Sequence, residues 1–127
     1  MTCLLDTHFL LWIVLDTPRL AEFPWLQRYA PWGVSPISLL EVQCLGEIGK
    51  LGVDIQRFTR AIMDDPRFLM DEVPLLNLIH QALPLSWTQD PFDRLLAAHS
   101  AARRVPLCTV DRQLRAHHAW IPAELTV

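Results

Sequence analysis

Short apolar runs alternate along this chain with longer stretches in which apolar side chains recur at helical spacing. The runs that have the length of strands are residues 2–5, 32–36, 67–72 and 105–110. Strands that alternate with helices are joined by helical crossovers, which favour a parallel sheet covered on both faces. We therefore predict an α/β fold, namely a three-layer α/β/α domain with a central, mainly parallel sheet.

Helix boundaries follow from the turn and capping residues. Ser38 to Glu41 fits a capping box, in which a serine and a glutamate three residues later satisfy the first helical N–H groups. Asp90, Pro91 and Asp93 fit the N-cap, N1 and N3 positions of another helix. The pattern predicts helices over residues 8–15, 18–31, 38–49, 54–63, 74–83 and 90–104, then a short helix and an edge strand near Leu125.

Length and composition place the chain among compact folded proteins. With 127 residues, of which 51% are hydrophobic and 20% charged, we expect one domain spanning residues 1–127. The longest apolar run, residues 9–15, is too short to cross a bilayer, and no basic flank marks a signal peptide. Three cysteines without a Cys-x-x-Cys pair suggest free thiols in a reducing compartment. We expect a cytoplasmic protein without a membrane partner.

The charge distribution is uneven although the net charge is only -3. A chain with this charge should not attract nucleic acid as a whole, but a local basic rim is possible. The last third of the sequence supplies arginines for such a rim: Arg94, Arg103, Arg104, Arg112 and Arg115.

Four carboxylates carry the candidate chemistry. Asp6 and Asp111 follow apolar strand-like runs, whereas Glu41 and Asp93 lie at predicted helix starts, so all four can meet at one edge of the sheet. Carboxylates about 4 Å apart repel by about 4 kcal/mol per pair at an effective dielectric constant of about 20. The sole lysine, Lys50, lies away from every motif. Mg²⁺ or Mn²⁺ would suit these oxygen ligands.

Each acid also has a structural explanation. Asp6, Asp90, Asp93 and Asp111 can cap helices or complement their dipoles, and the capping box alone would account for Glu41. Asp6 is the hardest to explain in this way, because an acid after an apolar run is costly to bury without a partner. His8 beside it can assist proton transfer or simply face water, and the five tryptophans are core or interface residues by default.

Four segments together resemble the PIN domain, specifically ribonuclease toxins of the VapC type: residues 4–12 (LLDTHFLLW), 37–42 (ISLLEV), 90–98 (DPFDRLLAA) and 107–111 (LCTVD). The resemblance implies a metal-dependent endoribonuclease that is dimeric and held inactive by an antitoxin. It also implies that Asp6, Glu41, Asp93 and Asp111 form the acidic quartet, with Asp6 and Asp93 as direct Mg²⁺ or Mn²⁺ ligands. The chain departs from this pattern at Thr88-Gln89, where such toxins often carry His-Arg, so we expect one basic contact to the substrate to be missing there.

RNA contacts are expected from residues beside the four acids. These candidates are two arginines of the rim and three hydroxyl residues: Arg94, Arg112, Thr7, Ser38 and Thr109. Two other functions remain open from the sequence. A catalytically inactive PIN-like module would bind RNA or a partner without cutting it. A phosphoacceptor receiver-like domain would also place aspartates at strand ends, but it needs a lysine at a late strand end, which this chain lacks.

Overall fold

Four short parallel strands form the centre of the computed structural model, which describes residues 1–126. The strands are β1 (Cys3–Leu5), β2 (Trp32–Val34), β3 (Phe68–Met70) and β4 (Leu107–Cys108). Their spatial order is β3-β2-β1-β4, and all three neighbouring pairs are parallel. The predicted parallel sheet is confirmed, although each strand is shorter than its apolar run. Val127, the last residue of the predicted domain, lies outside the described residues.

Helices cover both faces of this sheet because the strand side chains alternate between the faces. The helices are α1 (Thr7–Val14), α2 (Pro36–Glu47), α3 (Ile55–Asp64), α4 (Leu75–Ala82), α5 (Pro91–Arg103) and α6 (Arg112–His117). Leu5 of β1 belongs to a core cluster with Phe9 of α1 and Phe58 of α3. Its neighbour Leu4 belongs instead to a cluster with Leu96 of α5 and Leu114 of α6. The three-layer α/β/α architecture is therefore confirmed.

The capping box predicted from Ser38 to Glu41 is wrong. Helix α2 begins earlier, at Pro36, and its N-cap is Ser35, whose hydroxyl accepts a hydrogen bond from the N–H of Ile37 at 3.2 Å. Proline fits the first helical position because its missing N–H would have no intrahelical partner there. Glu41 consequently lies beyond the first turn of α2, and helix capping no longer explains its presence.

Two other predicted elements differ in type. The predicted helix between Pro18 and Pro31 is two 3-10 helices, Pro18–Glu22 and Pro24–Tyr29, because Pro24 cannot donate the hydrogen bond that would continue one helix. The expected edge strand near Leu125 is a 3-10 turn, Ala123–Leu125. Within residues 1–126, none of the helices combines the length and apolar character that a membrane span requires.

Candidate active site

Two of the four predicted acids are helix caps at the end of strands. Asp6 directly follows β1 and accepts a hydrogen bond from the N–H of Phe9 at 2.9 Å, which caps α1. Asp111 comes three residues after β4 and caps α6 by accepting from the N–H of Leu114 at 3.0 Å. Because β1 and β4 are parallel neighbours, both carboxylates belong to the same edge of the sheet.

Asp93 lies among the other predicted acids. It lies in the first turn of α5 and is half-buried. Burial is the main reason that its pKa is raised to about 7, and the negative charges of four neighbouring carboxylates raise it further: Asp90, Asp111, Glu41 and Asp6. The structure therefore brings together all four acids that the sequence singled out, with Asp90 as a fifth member.

Asp6 is the most buried of these acids, with only 4% of its surface exposed. Burial raises its pKa to about 6, whereas hydrogen bonds from the Phe9 N–H and the Thr109 side chain lower it. The charge of Glu41 raises this pKa as well. A carboxylate held in this environment gains from any positive charge that enters the site.

Glu41 lies on α2, on the same helix face as the buried Ser38 and within hydrogen-bonding distance of Thr7 on α1. Burial raises its pKa, whereas a hydrogen bond with Thr7 lowers it. Thr7 and Ser38 share a hydrogen bond of 3.0 Å between their hydroxyl groups. Thr7, Ser38 and Thr109 thus lie in contact with the acids or with one another, and all three are buried. Their assignment as RNA contacts stays a prediction.

Three arginines of the predicted basic rim bind elsewhere in the protein. Arg94 donates hydrogen bonds to the carbonyls of Ala82 and Leu83 at 3.3 and 2.9 Å, at the end of α4. Arg103 forms an ion pair with Asp71 at 2.8 Å. Arg115 donates to the Leu125 carbonyl at 2.8 Å. The rim is therefore smaller than the sequence suggests, because backbone carbonyls and Asp71 compete for these side chains.

Arg112 fits a substrate-binding role better than Arg94. It is exposed at the start of α6, next to Asp111. Within residues 1–126 no hydrogen bond or ion pair engages its side chain. Its role in binding RNA stays a prediction, as does that of Arg94.

The donor chemistry of the cluster fits a hard divalent cation. Its oxygen ligands and its excess negative charge match the preference of Mg²⁺ or Mn²⁺. Across residues 1–126 no three Asp, Glu, His or Cys side chains are arranged to hold one ion together. Mg²⁺ usually takes only one or two protein carboxylates and completes its shell with water and phosphate oxygens, so the donor set is sufficient.

Two residues that were not among the predicted site residues, Asp90 and His8, also belong to this region. Asp90 is the predicted N-cap of α5, and it accepts from the N–H of Phe92 at 2.8 Å. Its charge nevertheless also acts on Asp93 and Glu41. His8 lowers the pKa of both Asp6 and Glu41, so its imidazole lies beside the cluster. The only sequence signal for His8 was its place two residues after Asp6.

Comparisons with known proteins agree with the observed fold. The model of the family described as "PIN domain" matches residues 3–118. A solved "Toxin-antitoxin complex from Klebsiella pneumoniae" contains a chain that is 16% identical, with a TM-score of 0.69 over 98% of this chain and 99% of that chain. At this low sequence identity, the match shows that the two chains share a fold and nothing more. A search of curated proteins found no match.

Proposed function

The chain belongs to the PIN domain family, whose members are generally nucleases, and we propose that it is a Mg²⁺- or Mn²⁺-dependent endoribonuclease that acts as a toxin. The observation that carries the proposal is the placement of Asp6, Glu41 and Asp111 around the half-buried Asp93 at one edge of the sheet, where their charges act on Asp93. Helix capping accounts for Asp6 and Asp111, but it accounts neither for Glu41 nor for the half-buried carboxylate of Asp93.

Each acid has a proposed role in cleaving a phosphodiester bond. Asp6 and Asp93, the two whose pKa values burial raises to about 6 and about 7, hold the cation. When bound, the cation supplies a water of lowered pKa and neutralises charge on the scissile phosphate. Glu41 or Asp111 accepts the proton of the attacking water. Thr7, Ser38 and Thr109 keep the carboxylates in place through hydrogen bonds.

A cation at this site also resolves a conflict between charge and substrate. An acidic protein with clustered carboxylates repels RNA unless positive charge intervenes. The bound cation and Arg112 would supply that charge, and Arg112 would hold a phosphate next to the cleaved bond.

The proposed protein partners are an antitoxin and a second copy of the chain. The antitoxin is supported by the fold shared with a chain of a toxin–antitoxin complex. Both partners need apolar surface, and Leu75 and Leu76 of α4 and its C-cap residue Leu83 are exposed at 70, 66 and 64%. Exposed side chains of this kind, grouped on one helix, are typical of interaction surfaces.

Incubation of the purified protein with total RNA tests the proposal. We expect cleavage with Mg²⁺ or Mn²⁺, no cleavage with EDTA, and no cleavage by Asp6→Asn. Asp64→Asn, on the exposed end of α3, is the matched control and should cleave normally. An inactive RNA-binding module would bind without cutting. Transfer of phosphate to an aspartate from a small phosphodonor, without cleavage, would favour the receiver-like alternative.

A further inference from the structure

An exposed aromatic ring lies next to the acidic cluster. His8 is exposed in the first turn of α1, and Trp12 follows it by one turn on the same helix face. Their ring centroids are 6.3 Å apart. Because Asp6 caps α1 and His8 lies in the first turn of the same helix, the ring stands next to the acidic cluster, where it can reach a nucleotide whose phosphate is bound there.

Trp12 provides a fixed support for His8. The indole is stacked on Phe23 with a centroid distance of 5.8 Å and an interplanar angle of 4°, and it contacts Phe9 at 5.0 Å. These contacts connect it to the main hydrophobic core, where Phe9 is fully buried. Because these contacts already hold the Trp12 indole in place, it loses little conformational freedom when a ligand packs beside it.

Arg19 places a positive charge against the same indole. The guanidinium carbon of Arg19 lies 4.5 Å from the centroid of Trp12, within the range of a cation–π contact. Its ion pair with Glu22 is long, at 3.6 Å, and exposed, so it holds the guanidinium only weakly. His8 and Arg19 therefore both lie against one indole, and together they offer an open ring and a positive charge.

An aromatic ring next to a cation matches the chemistry of a single-stranded nucleotide. Unpaired bases stack on aromatic side chains, while arginine binds the phosphates that connect them. A base within a duplex is already stacked and cannot use such a ring. The acidic cluster near His8 is negatively charged, so it would repel an anionic ligand that did not also contact Arg19 or a bound metal cation.

We propose that His8, Trp12 and Arg19 form a subsite for one nucleotide of single-stranded RNA next to the cleaved bond. The base stacks on His8, Arg19 contacts the adjoining phosphate, and Trp12 positions both side chains. This subsite rests on the proposed ribonuclease function, and it assigns the contacts of the base and phosphate beside the cleaved bond to these three residues.

Binding is measured with Mg²⁺ in a Glu41→Gln, Asp111→Asn background, which removes both proposed proton acceptors but keeps the two proposed cation ligands, so that binding is separated from cleavage. The probe is a fluorescein-labelled single-stranded RNA of about 12 nucleotides, read by anisotropy. We expect His8→Ala to weaken binding about tenfold, whereas His8→Phe, which keeps an aromatic ring, should bind within about threefold of the parent. Arg19→Gln should weaken binding and reduce its salt dependence. His80→Ala on α4 and Arg60→Gln on α3 are matched controls and should change nothing.

An abasic nucleotide, moved along the probe, tests stacking directly. At one position it should weaken binding to the parent about tenfold, and it should weaken binding to His8→Ala no further. Circular dichroism and melting curves establish that each variant is folded. Equal affinity of His8→Ala and His80→Ala would overturn the subsite, as would a His8→Phe variant as weak as His8→Ala.

The two proposals fail in different ways. If the wild-type chain cleaves RNA but the subsite variants bind and cleave normally, the ribonuclease function stands and the subsite is wrong. If the wild-type chain does not cleave but binds the probe with the expected pattern of variants, the subsite stands and the nuclease function is wrong. Absence of both binding and cleavage overturns both proposals.

Discussion

Replacing Asp93 with Asn should stabilise the metal-free protein at pH 8. In the folded chain the pKa of Asp93 is raised to about 7, first by burial and then by the charges of its acidic neighbours. In the unfolded chain it ionises at its ordinary value of 3.8. At pH 8 folding must therefore bring a charged group into an unfavourable site, and the uncharged asparagine removes that cost.

The magnitude follows from the shift of about three pKa units. At 1.36 kcal/mol per unit, the full shift corresponds to about 4 kcal/mol. Asp93 is only half-buried, so solvent screening reduces this to about 1–2 kcal/mol. For a chain of this length the melting temperature should rise by roughly 3–8 °C.

The pH dependence has a definite sign. A carboxyl group with a raised pKa in the folded state favours folding at low pH, and this contribution is lost as the pH rises towards about 7. The melting-temperature difference between Asp93→Asn and the wild type should therefore be absent below about pH 4, grow between about pH 4 and pH 7, and stay constant above.

Thermal melts in EDTA from pH 4 to pH 8 measure this difference, with Asp64→Asn as the control for a changed net charge. Saturating Mn²⁺ should reverse the order, because a cation bound only to the folded wild type raises its stability by RT ln(1 + [L]/Kd). If Asp93→Asn is less stable than the wild type at pH 8 in EDTA, the electrostatic reasoning is wrong.

Two further predictions concern the arginines and the corrected start of α2. Arg112→Ala should weaken RNA binding and lower the slope of log affinity against log salt concentration by about one. Arg94→Ala should mainly lower stability, because the Arg94 side chain donates to two carbonyls at the end of α4. Equal RNA affinity and salt dependence in Arg112→Ala and the wild type would remove Arg112 from the substrate site. Ser35→Ala should lower the free energy of unfolding by about 1 kcal/mol through loss of the helix cap, as measured by urea denaturation, and an unchanged midpoint would contradict the cap assignment.

The sequence predicted the parts of the fold that local chemistry determines. Asp90 and Pro91 define the start of α5 by hydrogen bonding and ring geometry alone, and the structure agrees. The chain order of strands and helices predicted the parallel sheet in the same way. The start of α2 was predicted wrongly because two local signals compete there: Ser35-Pro36 has the same N-cap and N1 pattern as Asp90-Pro91, but the prediction followed the capping box from Ser38 to Glu41 instead.

The candidate site was predictable where residues end strands or begin helices. The gathering of Asp6, Asp93 and Asp111 follows from the parallel topology, whereas Glu41 was placed correctly for the wrong local reason. Hydrogen bonds between residues far apart in the sequence could not be predicted. Arg94 could not be paired with the end of α4 from sequence, because the contact depends on how α4 and α5 pack.

Direct titration with Mn²⁺, followed by electron paramagnetic resonance of the free ion, tests the central claim. The wild-type chain should bind one or two ions, and Asp6→Asn and Asp93→Asn should each lose most of this binding, while Asp64→Asn retains it. Equal Mn²⁺ binding by all four proteins would show that the carboxylate cluster is not the metal site.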